Sequence, residues 1–173
     1  MHRLLLSLTA LATAWSAFAQ DTSLLRYEGA DRIEKVAAAA RKEGSFMLYT
    51  SFAEKDLPRL TAAFEKRYGV KVRVWRSASE KVLQRAVIET GAGRHEFDAI
   101  HTSALEMEAL YREKVLQPVA PAHGVQLLAG ALRPHRAWTA TYLSFWVQAY
   151  NTSVVKKEDL PRTYQDLLDP KWK

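Results

Sequence analysis

Three short clusters of hydroxyl-bearing residues follow three apolar segments of this chain, and their positions suggest a binding function. The clusters are Thr50-Ser51, Ser77-Ala78-Ser79 and Thr102-Ser103. At least two of them precede segments with helical spacing, so we expect them at helix N-termini. Hydroxyls and free backbone amides at such positions favour an anion. Helix capping is the commoner task of a single Ser or Thr, and this alternative stays open for each residue.

The segments before these clusters predict β-strands. Phe46-Met47-Leu48-Tyr49 and Phe97-Asp98-Ala99-Ile100 are short apolar runs of strand length. Val70, Val72 and Val74 alternate with polar or aromatic residues, which is the period of a strand with one buried face.

The intervening segments predict helices with recognisable ends. Asp31 can cap the first helix and Gly44 can end it, whereas the second has Pro58 in its first turn and ends at Gly69. The spacing from Ser77 to Glu80 is that of a capping box, which predicts the start of a third helix. Three strand–turn–helix units predict an α/β fold, a three-layer lobe with a mostly parallel sheet.

Ligands of open parallel sheets bind outside the carboxyl ends of the strands. The three hydroxyl clusters occupy these ends, together with His101 at the end of the third strand. We therefore expect one ligand site built from all three loops. A lone His at this position is more commonly a capping or packing residue, so His101 is the weaker candidate.

The first residues have the pattern of a secretory signal peptide. Arg3 supplies a positive charge, Leu4–Ala19 is a run of 16 apolar, Ser and Thr residues, and Ala17-Phe18-Ala19 is a small-x-small cleavage pattern. We expect cleavage after Ala19 and export to the periplasm. A membrane anchor is the alternative, but the run falls short of the ~20 residues that span a bilayer.

Composition excludes several classes of site. The chain has no cysteine, which excludes disulfides, thiolate metal sites and a lipid-modified N-terminal cysteine. Its net charge of +6 comes from basic residues interleaved with acidic ones, so no nucleic-acid partner is expected.

Six segments, in order, resemble the periplasmic solute-binding proteins of ABC importers, type II fold, iron(III)-type branch. The resemblance covers roughly residues 31–173 and is carried by Leu48-Tyr49-Thr50-Ser51, residues 63–72, residues 77–85, Phe97-Asp98-Ala99-Ile100 with Leu116-Gln117-Pro118, Tyr150-Asn151-Thr152 and residues 160–173.

The resemblance implies two lobes that close on a ligand. Residues 20–150 would form an incomplete first lobe, and residues 151–173 the crossover and the start of a second lobe that is largely missing. By position, Thr50, Ser51, Ser77, Ala78, Ser79, Thr102 and Ser103 become ligand contacts. Tyr150 and Asn151 become the hinge.

The resemblance also implies partners. A monomer would deliver ferric ion or a small anion to an inner-membrane ABC permease, and no cofactor is expected beyond ferric ion as transported ligand. Some iron-binding members use a histidine in the first loop, which this chain lacks, and the family's paired tyrosine ligands lie in the second lobe. No metal ligand can therefore be assigned. Core roles are the better interpretation for Tyr142, Tyr150 and Tyr164.

An enzyme is the competing class of function. The chain has no GxSxG, HExxH, phosphate-loop or GxGxxG motif, which leaves a secreted hydrolase with an unrecognised active site as the alternative. An effector domain of a transcriptional regulator would need a DNA-binding helix pair where this chain has a signal peptide.

The last third of the chain gives weaker signals. Residues 117–137 are rich in Pro and Gly and predict a loop. Residues 138–150 are rich in aromatic and β-branched residues, which predicts a strand. Within it, Trp138, Phe145 and Trp146 are expected in the core.

Overall fold

The computed structural model describes residues 22–121, 126–145 and 147–172. The predicted signal peptide and Trp146 therefore lie outside the described residues. The chain divides into two compact units, with the boundary between Ala140 and Thr141. The predicted division of the chain at residue 150 stays a prediction.

Over its described residues, the first unit contains a three-stranded parallel sheet with four α-helices. The elements are α1 (Arg32–Glu43), β1 (Ser45–Thr50), α2 (Leu57–Tyr68), β2 (Lys71–Arg76), α3 (Ser79–Gly91), β3 (Ala99–His101) and α4 (Ala104–Arg112). The strand order is β2-β1-β3. Ser45 to Thr50 pair with Lys71 to Arg76, and Leu48 to Thr50 pair with Ala99 to His101. The predicted α/β fold is confirmed.

Two glycines end helices as the sequence predicts. Gly44 and Gly69 have φ angles of 81° and 71°, the left-handed region that glycine enters without steric cost. Their amides donate to the carbonyls of Ala40 and Glu65. Each helix thus stops immediately before the strand that follows it.

The predicted helix starts were less accurate. Asp31 occupies the N-cap position of α1, but its carboxylate binds Tyr27 and Lys35 instead of a helix amide. The capping box from Ser77 to Glu80 is wrong, because α3 begins at Ser79 with Ala78 as its N-cap. The Ser77 amide instead donates to the Thr50 carbonyl at 3.0 Å, which continues the sheet pairing one residue beyond β2.

A polar network lies within the core between the sheet and α3. Tyr49 is fully buried, and its hydroxyl donates to Glu89 Oε2 at 2.9 Å. Glu89 Oε1 accepts from Arg85 Nε at 2.7 Å, and the Arg85 guanidinium lies over the rings of Tyr49 and Trp75. Burial raises the pKa of Tyr49 to about 12, and the Glu89 hydrogen bond adds to this rise.

The predicted strand over residues 138–150 is wrong for the residues that the structure describes there. Thr139 forms one isolated antiparallel bridge with Leu132. This bridge does not extend into a ladder of paired residues. A strand needs a neighbour for its backbone groups, and these residues have none over most of their length.

The second unit consists of turns and short 3₁₀ segments, at Lys157–Asp159, Gln165–Leu168 and Pro170–Trp172. The core roles predicted for its tyrosines are wrong, since Tyr142, Tyr150 and Tyr164 are 58%, 41% and 81% exposed. Phe145 is likewise exposed, whereas Trp138 in the first unit is half-buried. None of the helices in the described part of the chain is long and apolar enough to cross a membrane.

Candidate ligand-binding site

The three hydroxyl-bearing loops are joined at the carboxyl edge of the sheet. The Ser51 amide donates to the His101 carbonyl and the Ser77 amide to the Thr50 carbonyl, both at 3.0 Å. The loop after β1 is therefore bonded to the loop after β2 on one side and to the end of β3 on the other. The edge is one connected surface.

Thr50 orients the first loop from inside. It is fully buried, and its Oγ1 accepts a hydrogen bond from the Phe52 amide at 3.0 Å. The same Oγ1 lies 3.3 Å from His101 Nδ1. With both of these contacts made in the interior, Thr50 holds the loop and the histidine in position.

His101 lies half-buried between this hydroxyl and the Phe52 ring, with ring centroids 5.1 Å apart in an edge-to-face arrangement. Burial lowers the pKa of the His101 imidazole, because desolvation disfavours its charged form. The imidazole is therefore neutral at pH 7.

The remaining hydroxyls of the three loops differ in their hydrogen-bond partners. Ser51 Oγ donates to Thr102 Oγ1 at 3.2 Å, which joins the first and third loops, and Ser103 Oγ contacts Glu106. Within the described part of the chain, no side-chain hydrogen bond is made by Ser77 or Ser79. These two half-buried hydroxyls are the ones that can reorient toward a ligand.

Two helix N-termini at this edge lack a side-chain cap. Ala78 and Ser103 hold the N-cap positions of α3 and α4, and neither side chain bonds a helix amide. First-turn amides have no partner within their helix, and the helix dipole adds partial positive charge there. Both features favour an anion.

Arg76 stands at the end of the second strand but was not among the ligand contacts predicted from the sequence. It is the last residue of β2, is exposed, and donates from Nε to the Phe52 carbonyl at 3.1 Å. No described carboxylate lies within ion-pair distance of its guanidinium. Its position directly before the second hydroxyl cluster is the sequence feature that could have identified it as a ligand contact.

The arrangement offers hydroxyls, amides and one cation, and no set of metal ligands. Over residues 22–121, 126–145 and 147–172, no group of three His, Asp or Glu side chains is placed to hold a metal ion. The chemistry of this edge therefore suits a negatively charged group.

Tyr150 and Asn151, the predicted hinge residues, lie in the second unit. The Asn151 carbonyl accepts from the amides of Val154 and Val155 at 3.1 and 2.9 Å. Its Oδ1 accepts from the Ser153 amide at 2.9 Å. Asn151 thus begins a tight turn, and its role as a hinge stays a prediction.

Comparison with known proteins bears on the class of function. A family model described as bacterial extracellular solute-binding protein matches residues 95–173. A solved structure of a Trichodesmium protein, IdiA (FutA), in complex with iron and citrate ligands matches with a TM-score of 0.55 and 26% sequence identity. The match covers 75% of this chain and 41% of that one.

No curated protein sequence matches the chain. The chain spans less than half of the Trichodesmium structure. The family description and the description of the Trichodesmium structure both name proteins that bind a ligand. This chain is thus similar to bacterial extracellular solute-binding proteins over residues 95–173 and to the iron- and citrate-bound Trichodesmium structure over three quarters of its length.

Proposed function

We propose that the protein is the periplasmic solute-binding component of an ABC importer and captures ferric ion or a small anionic solute. The observation that carries this proposal is the joined carboxyl edge, where two uncapped helix N-termini and the hydroxyls of Ser77 and Ser79 converge. Thr50 and His101 position the loops, while Ser51, Thr102 and Ser103 complete the edge.

Arg76 sharpens the choice of ligand. An exposed guanidinium without a described carboxylate partner repels a bare cation and attracts an anion or an iron complex with net negative charge. The iron and citrate of the Trichodesmium structure are consistent with this preference. A polyamine is the least suitable ligand for the edge.

Capture would proceed by closure of two lobes about the hinge at Tyr150 and Asn151, followed by delivery to the inner-membrane permease. The protein would act as a monomer, without a resident cofactor and without nucleic acid. Cleavage after Ala19 would release it into the periplasm, and N-terminal sequencing of the mature protein tests this step. A retained Met1 in the membrane fraction would contradict it.

Calorimetric titration tests the ligand class. The 173-residue chain, and the protein extended through any continuation of its reading frame, are titrated with ferric citrate, phosphate and spermidine. We expect the 173-residue chain to bind weakly, because one wall of a two-walled cleft makes part of the contacts. Tight spermidine binding by the extended protein would overturn the proposed ligand class.

Matched variants test the site. Arg76→Gln should weaken binding of the anionic ligand about tenfold, because one charge-assisted hydrogen bond is lost. Arg73→Gln on the same strand should leave that binding unchanged. Ser77→Ala with Ser79→Ala should weaken binding, whereas Ser45→Ala at the opposite end of β1 is the control. Equal effects of site and control variants would refute the carboxyl-edge site.

A secreted hydrolase is the alternative function, and no geometry in the described part of the chain favours it. Turnover of generic ester and phosphate substrates by the purified protein would reverse this choice.

A further inference from the structure

A shallow depression lies in the first unit, lined by residues other than those of the carboxyl edge. It has a volume of about 280 Å³ and is open to solvent. Arg26, Val119 and Arg136 represent the three chain segments that line it. Its volume is near the lower limit of ~300 Å³ for small-molecule sites, so only a small ligand fits.

Backbone hydrogen bonds join these three segments. The Ala120 amide donates to the Leu25 carbonyl at 2.8 Å, and the Val119 amide donates to the Arg136 carbonyl at 3.0 Å. The segments that contain Arg26 and Arg136 are far apart in sequence, but both are hydrogen-bonded to the stretch Val119-Ala120. Both arginines line one fixed depression.

Arg136 is held in an uncommon backbone conformation. Its φ angle is 57°, a left-handed value that a non-glycine residue adopts at a cost. Its amide donates to the Arg133 carbonyl at 2.9 Å and its own carbonyl is bonded to Val119, so both backbone groups are fixed. The turn therefore sets where the Arg136 side chain begins, at the lining of the depression.

The two arginines differ in their partners. Arg136 Nη1 contacts Glu28 Oε1 at 2.8 Å, in an ion pair in which both side chains are more than half exposed. Arg26 forms no ion pair with any residue that the structure describes. Among the residues that the structure describes, the lining therefore includes one arginine without an ion-pair partner and one with a weak partner.

The other lining is largely apolar and rigid. Pro118 and Pro134 supply ring surfaces with fixed φ. Ala120, which lines the same depression, is almost fully buried. His135 is fixed by stacking on Tyr111, with ring centroids 3.8 Å apart. Apolar walls lined at their edge by two arginines match a ligand with an apolar body and a negatively charged end.

We infer that this depression binds a small organic carboxylate, with Arg26 and Arg136 contacting the carboxylate and the proline-lined wall contacting the apolar body. The inference is independent of the proposed solute site at the carboxyl edge. Glu28 competes with the ligand for Arg136, so its removal should strengthen binding.

The test is a titration of the ¹⁵N-labelled 173-residue chain with benzoate, and with benzamide as a neutral probe of similar shape. We expect benzoate to shift the amides of Val119, Ala120 and Arg136, with a dissociation constant of about 1 mM. Benzamide should leave them unmoved. Equal shifts with both probes, or shifts confined to the carboxyl edge, would overturn the inference.

Four variants separate the charges. Arg26→Gln and Arg136→Asn should each weaken benzoate binding by roughly threefold or more, and Asn tolerates the left-handed backbone of position 136. Glu28→Gln should tighten binding by roughly two- to fivefold, the size of an exposed ion pair. Arg133→Gln, the same charge change in the same turn, is the control. A control effect equal to that of Arg136→Asn, or unchanged binding in Glu28→Gln, would refute the assignment.

Discussion

Glu89 in the first unit and Asp166 in the second hold their neighbours in opposite ways. Glu89 is buried, and it bonds Tyr49, which is 40 residues away in sequence. Asp166 is exposed, and its Oδ2 accepts from the amides of Arg162 and Thr163, both at 2.9 Å. One carboxylate ties a helix to a strand, and the other closes a turn upon itself.

The same carboxylate chemistry therefore has different consequences in the two units. In the first unit, loss of a partner leaves polar groups unsatisfied in the core, where water cannot replace it. In the second unit, water replaces a lost partner at once. The difference in free energy of unfolding between matched substitutions measures this contrast.

The largest effect is expected for Glu89→Ala. It would leave the buried Tyr49 hydroxyl without its acceptor and Arg85 without its ion-pair partner, at a cost of about 2–4 kcal/mol in the free energy of unfolding. Urea unfolding followed by tryptophan fluorescence measures it. Glu80→Gln, an exposed change on the same helix, is the control, and an equal loss there would break the comparison.

Tyr49→Phe removes the same buried hydrogen bond to Glu89, and it is also expected to change how stability responds to alkaline pH. Between pH 10 and 12 the unfolded chain loses the Tyr49 proton while the folded chain retains it, so the folded state loses stability as the pH rises. The full loss is about 2–3 kcal/mol. Urea unfolding at pH 9 and pH 12 should show this loss in the parent chain and a smaller one in the Phe variant. Parallel pH profiles would exclude Tyr49 as the source.

A smaller effect is expected when the carboxyl edge is acidified. Burial lowers the pKa of His101, so the unfolded chain takes up its proton at a higher pH than the folded chain. Stability linked to this residue is therefore present above pH 6.5 and declines as the pH falls below it. His101→Asn should reduce the decline between pH 7 and 5, and NMR titration of the imidazole provides the direct measurement.

The smallest effect is expected for Asp166→Asn. Hydrogen bonds from the Thr163 and Arg162 amides lower the pKa of Asp166, so this local support is lost as the pH falls through that lowered value. The substitution should speed amide exchange at positions 162 and 163 without shifting the urea midpoint. A midpoint shift as large as that of Glu89→Ala would erase the difference between the units.

Local signals in the sequence predicted the parts of the fold that local physics decides. Gly44 and Gly69 end their helices because a left-handed residue is needed there. The alternation of Val70, Val72 and Val74 indicated a strand regardless of its partner, although Val74 is exposed in the structure. The role of Ser77 could not be predicted from local signals, because its amide pairs with Thr50, which is 27 residues earlier in the sequence. The predicted start of α3 was wrong for that reason.

The candidate site was predictable in outline and not in detail. The loops were identified from the rule that ligands bind at strand carboxyl ends, and the structure joins them there. The inward position of Thr50 and the contact of Arg76 with the Phe52 carbonyl depend on how strands align, which no local pattern encodes. The exposure of Tyr142 and Tyr164 is equally non-local, since an apolar ring is buried only where another surface meets it.

The order β2-β1-β3 also has a consequence for the kinetics of folding. Joining β1 to β2 brings together residues 26 apart (Ser45 and Lys71), whereas joining β1 to β3 spans 51 (Leu48 and Ala99). Doubling a loop adds only ~0.6 kcal/mol of closure entropy, so loop length alone hardly sets the sequence of events. The number of paired residues does, with six for β2 against three for β3. We expect the β1–β2 pair to form in the transition state and β3 to dock afterwards, so that His101 is the last of the strand ends to reach the binding edge.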